Sequence, residues 1–258
     1  MKRYFQLWTQ QIKFSIQRLF EYRSDFFMWS FVAFGWTCFQ LVFYNVLLVQ
    51  SSTIAGWTSD HVLAFIGTFM ILDGLTWGLL WGNMNDYTQS VFNGSLDVLL
   101  TQPLDPQFRL STRNISFTNL PRVIIGIFLV IRHAQFISLQ QFFFFILMIF
   151  CAFIAVYALW FFTTTFTFWA EKMSNIIEIV PTLRGIWYVP AEVYVGPLST
   201  LLTIILPFAL ITTVPARILF HDYRWNEIGI LIIFTVILFT FTRWFFHYSI
   251  KKYSGIGS

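Results

Sequence analysis

The sequence predicts an all-α, polytopic membrane protein with six transmembrane helices. Three observations carry that expectation. Apolar residues make up 57% of the 258-residue chain and charged residues only 11%, where soluble domains carry roughly 25% charged residues. The apolar residues fall in blocks of about twenty, long enough as helix to cross a hydrocarbon layer of roughly 30 Å. The basic residues follow the ends of these blocks and gather on no soluble face, which argues against a nucleic-acid partner and for a lipid bilayer. The 33 phenylalanines then chiefly meet lipid. Cys38 and Cys151 each lie inside an apolar block and imply no disulfide framework.

Residues 1–22 form the first element. Gln6, Gln10, Gln11, Lys13, Gln17 and Arg18 interrupt any signal-peptide core. At helical spacing Tyr4, Phe5, Trp8, Ile12, Ile16, Leu19 and Phe20 share one arc, with Lys2, Arg3, Gln6, Gln10, Lys13 and Gln17 opposite. That pattern predicts a helix lying in the membrane interface.

The first span is expected over Phe26–Val49, followed by a loop, Gln50–Ser59, without Lys or Arg. The second runs from His61 to Gly82. A polar island over 83–110 follows it. The third covers Ser116–Ile131, with Arg132 and His133 at its far end. The fourth, Gln140–Trp169, is closed by Glu171 and Lys172. Two segments compete for the fifth crossing. Hydropathy alone favours Leu198–Phe220, but Ser174–Val195 is also long and mostly apolar, although it carries Glu178, Pro181, Arg184 and Glu192. The last span, Ile228–Tyr248, ends in Lys251-Lys252. No internal repeat is evident, so residues 1–258 read as one domain.

The basic residues orient these spans. With the N-terminus in the cytoplasm and six crossings, eleven of the sixteen Lys and Arg fall at the inner face, and only Arg132, Arg217 and Arg224 fall outside. Arg122 and Arg184 lie within apolar segments. Both termini and the polar island are therefore expected in the cytoplasm.

Few residues suggest chemistry. No phosphate-binding loop exists, since the chain lacks even one Gly-Lys pair. The histidines at 61, 133, 221 and 247 sit at different segment ends and make no local metal set. No Gly-x-Ser-x-Gly elbow is present. Asp73 stands near the middle of the second span, where a carboxylate costs on the order of 3 kcal/mol to insert. Two readings of it stand: a group on a substrate or ion pathway, or a protonated or hydrogen-bonded residue at a helix contact. The sequence names no obvious partner for it. Gly74, Gly78 and Gly82 recur every four residues with Gly67 on the same face, a stripe that lets another helix approach closely.

The polar island has local signals of its own. Asn85 and Asp86 are suited to cap a short helix ending at Phe92, and Asn93-Gly94 to stop it. Ser95 is placed to cap a second short helix that Pro103 ends. Leu96, Leu99 and Leu100 would form an exposed apolar face on that helix, with Asp97 beside them, a surface that wants a protein partner. The alternative is a loop folded back on its own helices.

At these residues the chain resembles the permease subunits of bacterial type-2 ATP-binding-cassette (ABC) exporters. The resemblance rests on Gly94, Leu96, Asp97, Leu99, Leu100, Pro103 and Leu104 between the second and third spans. It rests also on Leu206-Pro207-Phe208-Ala209 and Pro215-Ala216 before the last span. It implies that 83–110 is a cytoplasmic coupling loop, with the coupling helix near Ser95–Gln102. It also implies that 197–220 is an outer re-entrant hairpin broken at Pro207, which assigns the fifth crossing to Ser174–Val195. A second permease subunit, alike or different, would complete the pathway in the bacterial inner membrane. Cytoplasmic ABC ATPase subunits would bind ATP and magnesium, leaving this chain without a cofactor or catalysis of its own. A secondary transporter and, behind it, an intramembrane enzyme are the alternatives.

Overall fold

Long apolar blocks become long helices, whereas the shorter ones are broken up by proline, glycine and charge. The computed structural model describes residues 2–50, 53–134, 138–169 and 174–252. Helix α1 (Lys2–Glu21) turns at Tyr22 into α2 (Arg23–Gln50). A two-stranded hairpin, β1 (Thr53–Ile54) and β2 (Trp57–Thr58), caps the far end. Its two-residue turn places Ala55 and Gly56 at φ 51° and 85°, the left-handed pair that a type I′ hairpin turn demands.

Helix α3 (Ser59–Thr76) continues through a π-turn (Trp77–Trp81) into α4 (Gly82–Phe92). The result is one apolar rod of 34 residues. The second span therefore does not stop at Gly82, and Asn85 and Asp86 cap no separate helix. Gly82 keeps helical angles, φ −60° and ψ −38°. The polar groups that follow find partners across the fold instead of capping locally. The Asn83 amide donates to the carbonyls of Leu79 and Asn114 at 2.7 and 2.8 Å, and Asn114 donates to Asp86 at 2.5 Å. Asn93 and Gly94 do end the rod, with Gly94 at φ 69°.

Two short helices follow, α5 (Leu96–Leu100) and α6 (Pro106–Thr112). The Asp105 side chain caps α6 by accepting from Phe108 N at 3.0 Å. Helix α7 (Leu120–His133) is followed by α8 (Leu139–Thr165), which Ser138 caps. Glu171 and Lys172, expected to close that span, lie outside the described residues. A 3-10 turn (Ser174–Glu178) leads into α9 (Ile179–Trp187). Then come α10 (Gly196–Thr200), a π-turn (Leu201–Ile205), α11 (Leu210–Ile218) and the long α12 (Trp225–Lys252).

Among the described residues four helices are long and apolar enough to cross a membrane, or five if one bent pair counts as a span. Length alone therefore does not reproduce six crossings. Helix α7 has 14 residues, about 21 Å of rise, and α9 has nine. The expected fifth crossing, Ser174–Val195, is thus not a single helix. The bent pair is Gly196–Ile205 with Leu210–Ile218, turned by 77°. Pro207 sits at the bend and holds the preceding Leu206 extended, at φ −124° and ψ 80°.

The α3 rod is the axis of the molecule. Its apolar window is 78% buried, against 17% for α2 and 22% for α12. Helix α2 turns its polar residues inward: Ser30, Thr37, Gln40 and Tyr44 are the ones it buries. Helix α7 packs most tightly on α3, and the glycines explain why. A Cβ at Gly67 would lie 2.7 Å from the Gly126 carbonyl. One at Gly74 would lie 2.5 Å from Val123, and one at Gly78 would lie 2.9 Å from the Ser116 carbonyl. Gly82 faces Asn114. The stripe thus accommodates a neighbour within the same chain, with Gly126 as its unanticipated counterpart.

Candidate functional site

Asp73 occupies the last turn of α3, immediately before the π-turn. It is not alone, contrary to the expectation from sequence. Arg122 on α7 reaches it at 2.7 Å, and Arg184 on α9 reaches both its oxygens at 3.1 and 3.3 Å. Arg122 also donates to Gln40 Oε1 on α2 at 2.5 Å. The two guanidinium groups lie over aromatic faces, Arg122 over Phe69 at 5.7 Å and Arg184 over Trp77 at 5.8 Å. One carboxylate therefore ties four helices together inside the apolar layer. Ionisable groups at that depth are expensive and come paired; the close α3–α7 packing permitted by Gly74 brings this pair into reach.

This node borders a cavity of about 690 Å³ between α2, the π-turn, α7 and α9. Trp29, Trp36, Phe39, Trp77 and Trp81 supply most of its apolar wall, and Gln40, Arg122 and Arg184 its polar end. Asp73 is not in the wall; it stands behind the two arginines. A second cleft of about 590 Å³ opens beside the α1–α2 turn, next to Arg18, Tyr22 and Asp25. The two share Trp29, Gly82, Ser116 and Thr118 in their walls, so they adjoin.

The residues 94–104 are placed differently from the expectation. Leu96 and Leu99 point into the core, at 0% and 9% exposure, and Leu100 packs against it. The outward side of α5 carries Asp97, Val98 and Thr101, with Val98 66% exposed. Leucines spaced three apart thus anchor the helix and leave the intervening residues presented. Ser95 precedes α5 without a side-chain cap bond. Gly94 and the Pro103-Leu104 pair bracket the segment, and Asp105 then accepts from Arg243 of α12 at 2.7 Å. Helix α1 lies on the same end of the molecule. Tyr4 packs edge-on against Phe108 at 5.0 Å, and the Gln11 amide, oriented to satisfy its neighbours, donates to the Thr112 carbonyl at 2.7 Å.

A second ionic cluster, unforeseen from sequence, closes the opposite end. Arg217 of α11 is 4% exposed and binds Glu192, before α10, and Glu227, on α12. Asp222 and Arg224 extend it, 3.4 Å apart. Charge alone signalled it: Glu192, Arg217, Asp222, Arg224 and Glu227 surround the bent pair in sequence. No group of three or more His, Cys, Asp or Glu residues able to hold a metal occurs among the described residues.

The family model described as ABC-2 family transporter protein matches residues 34–257. No curated protein and no solved structure matches the chain. The match takes in the α3 rod, the short helix α5, the node at Asp73 and the bent pair, all in a multi-pass membrane protein of the all-α class. On that match this chain belongs to the ABC-2 transporter family, as a membrane permease subunit of an ABC transporter.

Proposed function

We propose that this permease is half of an export pathway driven by cytoplasmic ATPase subunits that dock on α5. Both termini lie in the cytoplasm of a bacterial inner membrane, and six crossings result if α7 and α9 each traverse a locally thinned or protein-lined layer. The bent pair at 196–218 is then an outer re-entrant hairpin. A second permease subunit completes the pathway, and ATP and magnesium stay on the partner ATPases.

The observation that carries this reading is the construction of α5. It is short, set off by Gly94 at φ 69° and by Pro103, and pinned to the core by Leu96 and Leu99. It holds Asp97, Val98 and Thr101 outward at the end shared by α1 and the C-terminal part of α12. An element that is anchored on one side and presented on the other transmits force rather than yielding to it. Closure of the ATPases would shift α5 and, through Leu96 and Leu99, the α3–α4 rod, a two-state rocking motion. A secondary transporter, which Asp73 and the proline-broken segments would allow, is less well supported, because Asp73 is held by two arginines.

The test is co-purification of the ATPase with a Val98→Asp, Asp97→Lys double variant. Recovery of ATPase should fall by about tenfold or more, the loss of roughly 1.4 kcal/mol of binding, with the permease still folded. Undiminished ATPase recovery would remove α5 from the docking surface. Leu99→Asp is a poorer choice, since it places a charge in the core and disrupts the fold itself.

A further inference from the structure

The cavity beside the Asp73 node is finished in a way that plain helix packing does not require. Two guanidinium groups share a single carboxylate, which leaves one positive charge in excess. Gln40 and Arg122 are buried, at 4% and 6% exposure, and both line the cavity. The Gln40 Nε2 and Arg122 Nε groups have no hydrogen-bond partner. Both unpaired groups are donors. These two atoms are themselves covered, so what the cavity receives is the excess charge: Arg122 and Arg184 both line it, and a cation left uncompensated at an apolar wall is costly unless an anion joins it.

The rest of the cavity has the opposite character. Its tryptophan walls offer a long apolar surface, and its volume of about 690 Å³ lies within the range of roughly 300–1,000 Å³ that encloses a small organic ligand. The adjoining cleft beside Arg18 and Tyr22 lies at the level of α1, where an amphipathic molecule would rest in the interface. A soluble inorganic anion has no use for the aromatic walls, and a neutral lipid does not answer the excess charge.

We propose that Arg122, Arg184 and Gln40 form the head-group subsite of an anionic amphiphile whose apolar tail lies along Trp29, Trp36 and Trp81. This assignment of a substrate class rests on the permease reading, but binding is measured on the permease alone. A failure of ATPase docking would therefore leave it untouched, and a failure of binding would leave docking untouched. The anion is a phosphate or carboxylate head on an alkyl tail, supplied by a bilayer lipid or by a free amphiphile.

Photolabelling with a diazirine-tailed alkyl phosphate, on the purified chain in phosphatidylcholine nanodiscs, tests it. The matching alkyl alcohol is the neutral control. The phosphate should label residues 29–40 and 77–82 about tenfold more strongly than the alcohol, the worth of one charge-assisted hydrogen bond. Arg184→Gln and Gln40→Leu, each confirmed as folded by thermal unfolding, should reduce phosphate labelling to the level of the alcohol. Suppression by added phosphatidylglycerol identifies a bilayer lipid as the source; persistence in its presence identifies a free amphiphile, and either supports the subsite. Equal labelling by phosphate and alcohol, or phosphate labelling that survives both substitutions, overturns it.

Discussion

Arg122 and Arg217 are both almost excluded from solvent, at 6% and 4% exposure, yet they keep different company. Arg217 sits among three carboxylates, those of Glu192, Asp222 and Glu227, with one further arginine, Arg224. Arg122 shares one carboxylate with Arg184. The first cluster carries more acid than base and the second more base than acid. The first is open to water through Asp222 and Arg224, each about half exposed, and ties the bent pair to the start of α12. The second faces a cavity. The contrast separates a clasp, in which carboxylates outnumber the buried cation they hold, from a site, in which two cations share one carboxylate and the excess positive charge borders a cavity.

The largest effect should come from breaking the clasp. Arg217→Leu leaves Glu192 and Glu227 with only the half-exposed Arg224, at 3.8 and 3.4 Å, and should cost about 3 kcal/mol of stability, the lower end for a buried pair stripped of one partner. Thermal unfolding in detergent measures it. Adding Glu192→Gln and Glu227→Gln should recover much of the loss. A cost below about 1 kcal/mol, the scale of an exposed pair, would abolish the distinction between the two clusters.

Next in size is a steric test of how the second cluster is held. Gly67→Ala forces a methyl to within 2.7 Å of the Gly126 carbonyl and 2.9 Å of Leu129 Cβ. Backbone cannot swing aside as a side chain does, so α7 must move, and Arg122 with it. A loss of about 1–3 kcal/mol is expected. Gly35→Ala on α2, where nothing lies within 4 Å, is the control and should be neutral or slightly stabilising. Equal effects at both positions would show that the close α3–α7 approach contributes nothing.

Much of this architecture was legible in the sequence. Apolar runs gave the long helices because each run, taken alone, decides whether it is buried in lipid. Asn93-Gly94 stopped α4 and Pro207 bent the 196–218 pair because backbone geometry at those residues is local. The glycine stripe marked a face but not its mate. What stayed hidden depends on distant partners. Arg184 lies 111 positions from Asp73, and no local pattern joins them. The signal was the presence of three ionisable residues within apolar segments, since charges in a membrane seldom stand alone. The polar island misled because polar composition suggests a solvated loop. Asn83 is in fact buried, serving backbone 31 positions away, and Leu96 and Leu99 turn inward rather than outward. Helical spacing identifies a shared face, but not which way that face looks.

A smaller effect is expected where the second cluster meets its cavity. The Arg184 side chain is 34% exposed, and Asp73 has a second, buried partner in Arg122 at 2.7 Å. Arg184→Gln should therefore change stability by less than about 1 kcal/mol, far less than Arg217→Leu in the same unfolding measurement. A loss as large as that of Arg217→Leu would make the two clusters alike, both clasps.

Asp105 and Arg243 mark the lower end of the scale. Their 2.7 Å pair has side chains 22% and 50% exposed. Burial alone would raise the Asp105 pKa, but the hydrogen bond from Phe108 N and the bond and charge of Arg243 outweigh it and hold the carboxyl below its ordinary value of 3.8. A lowered carboxyl pKa stabilises the fold fully above the unfolded value, and the contribution disappears as pH falls through the folded one. Asp105→Asn keeps an oxygen able to cap α6 and removes only the charge. The variant should lose about 0.5 kcal/mol or less at neutral pH, and its difference from the parent should vanish once the pH is well below 3.8. Paired unfolding curves at neutral and strongly acidic pH check both. A difference that persists in acid would mean that the side chain acts here through packing, and the charge scale that separates clasp from site would then have no exposed reference point.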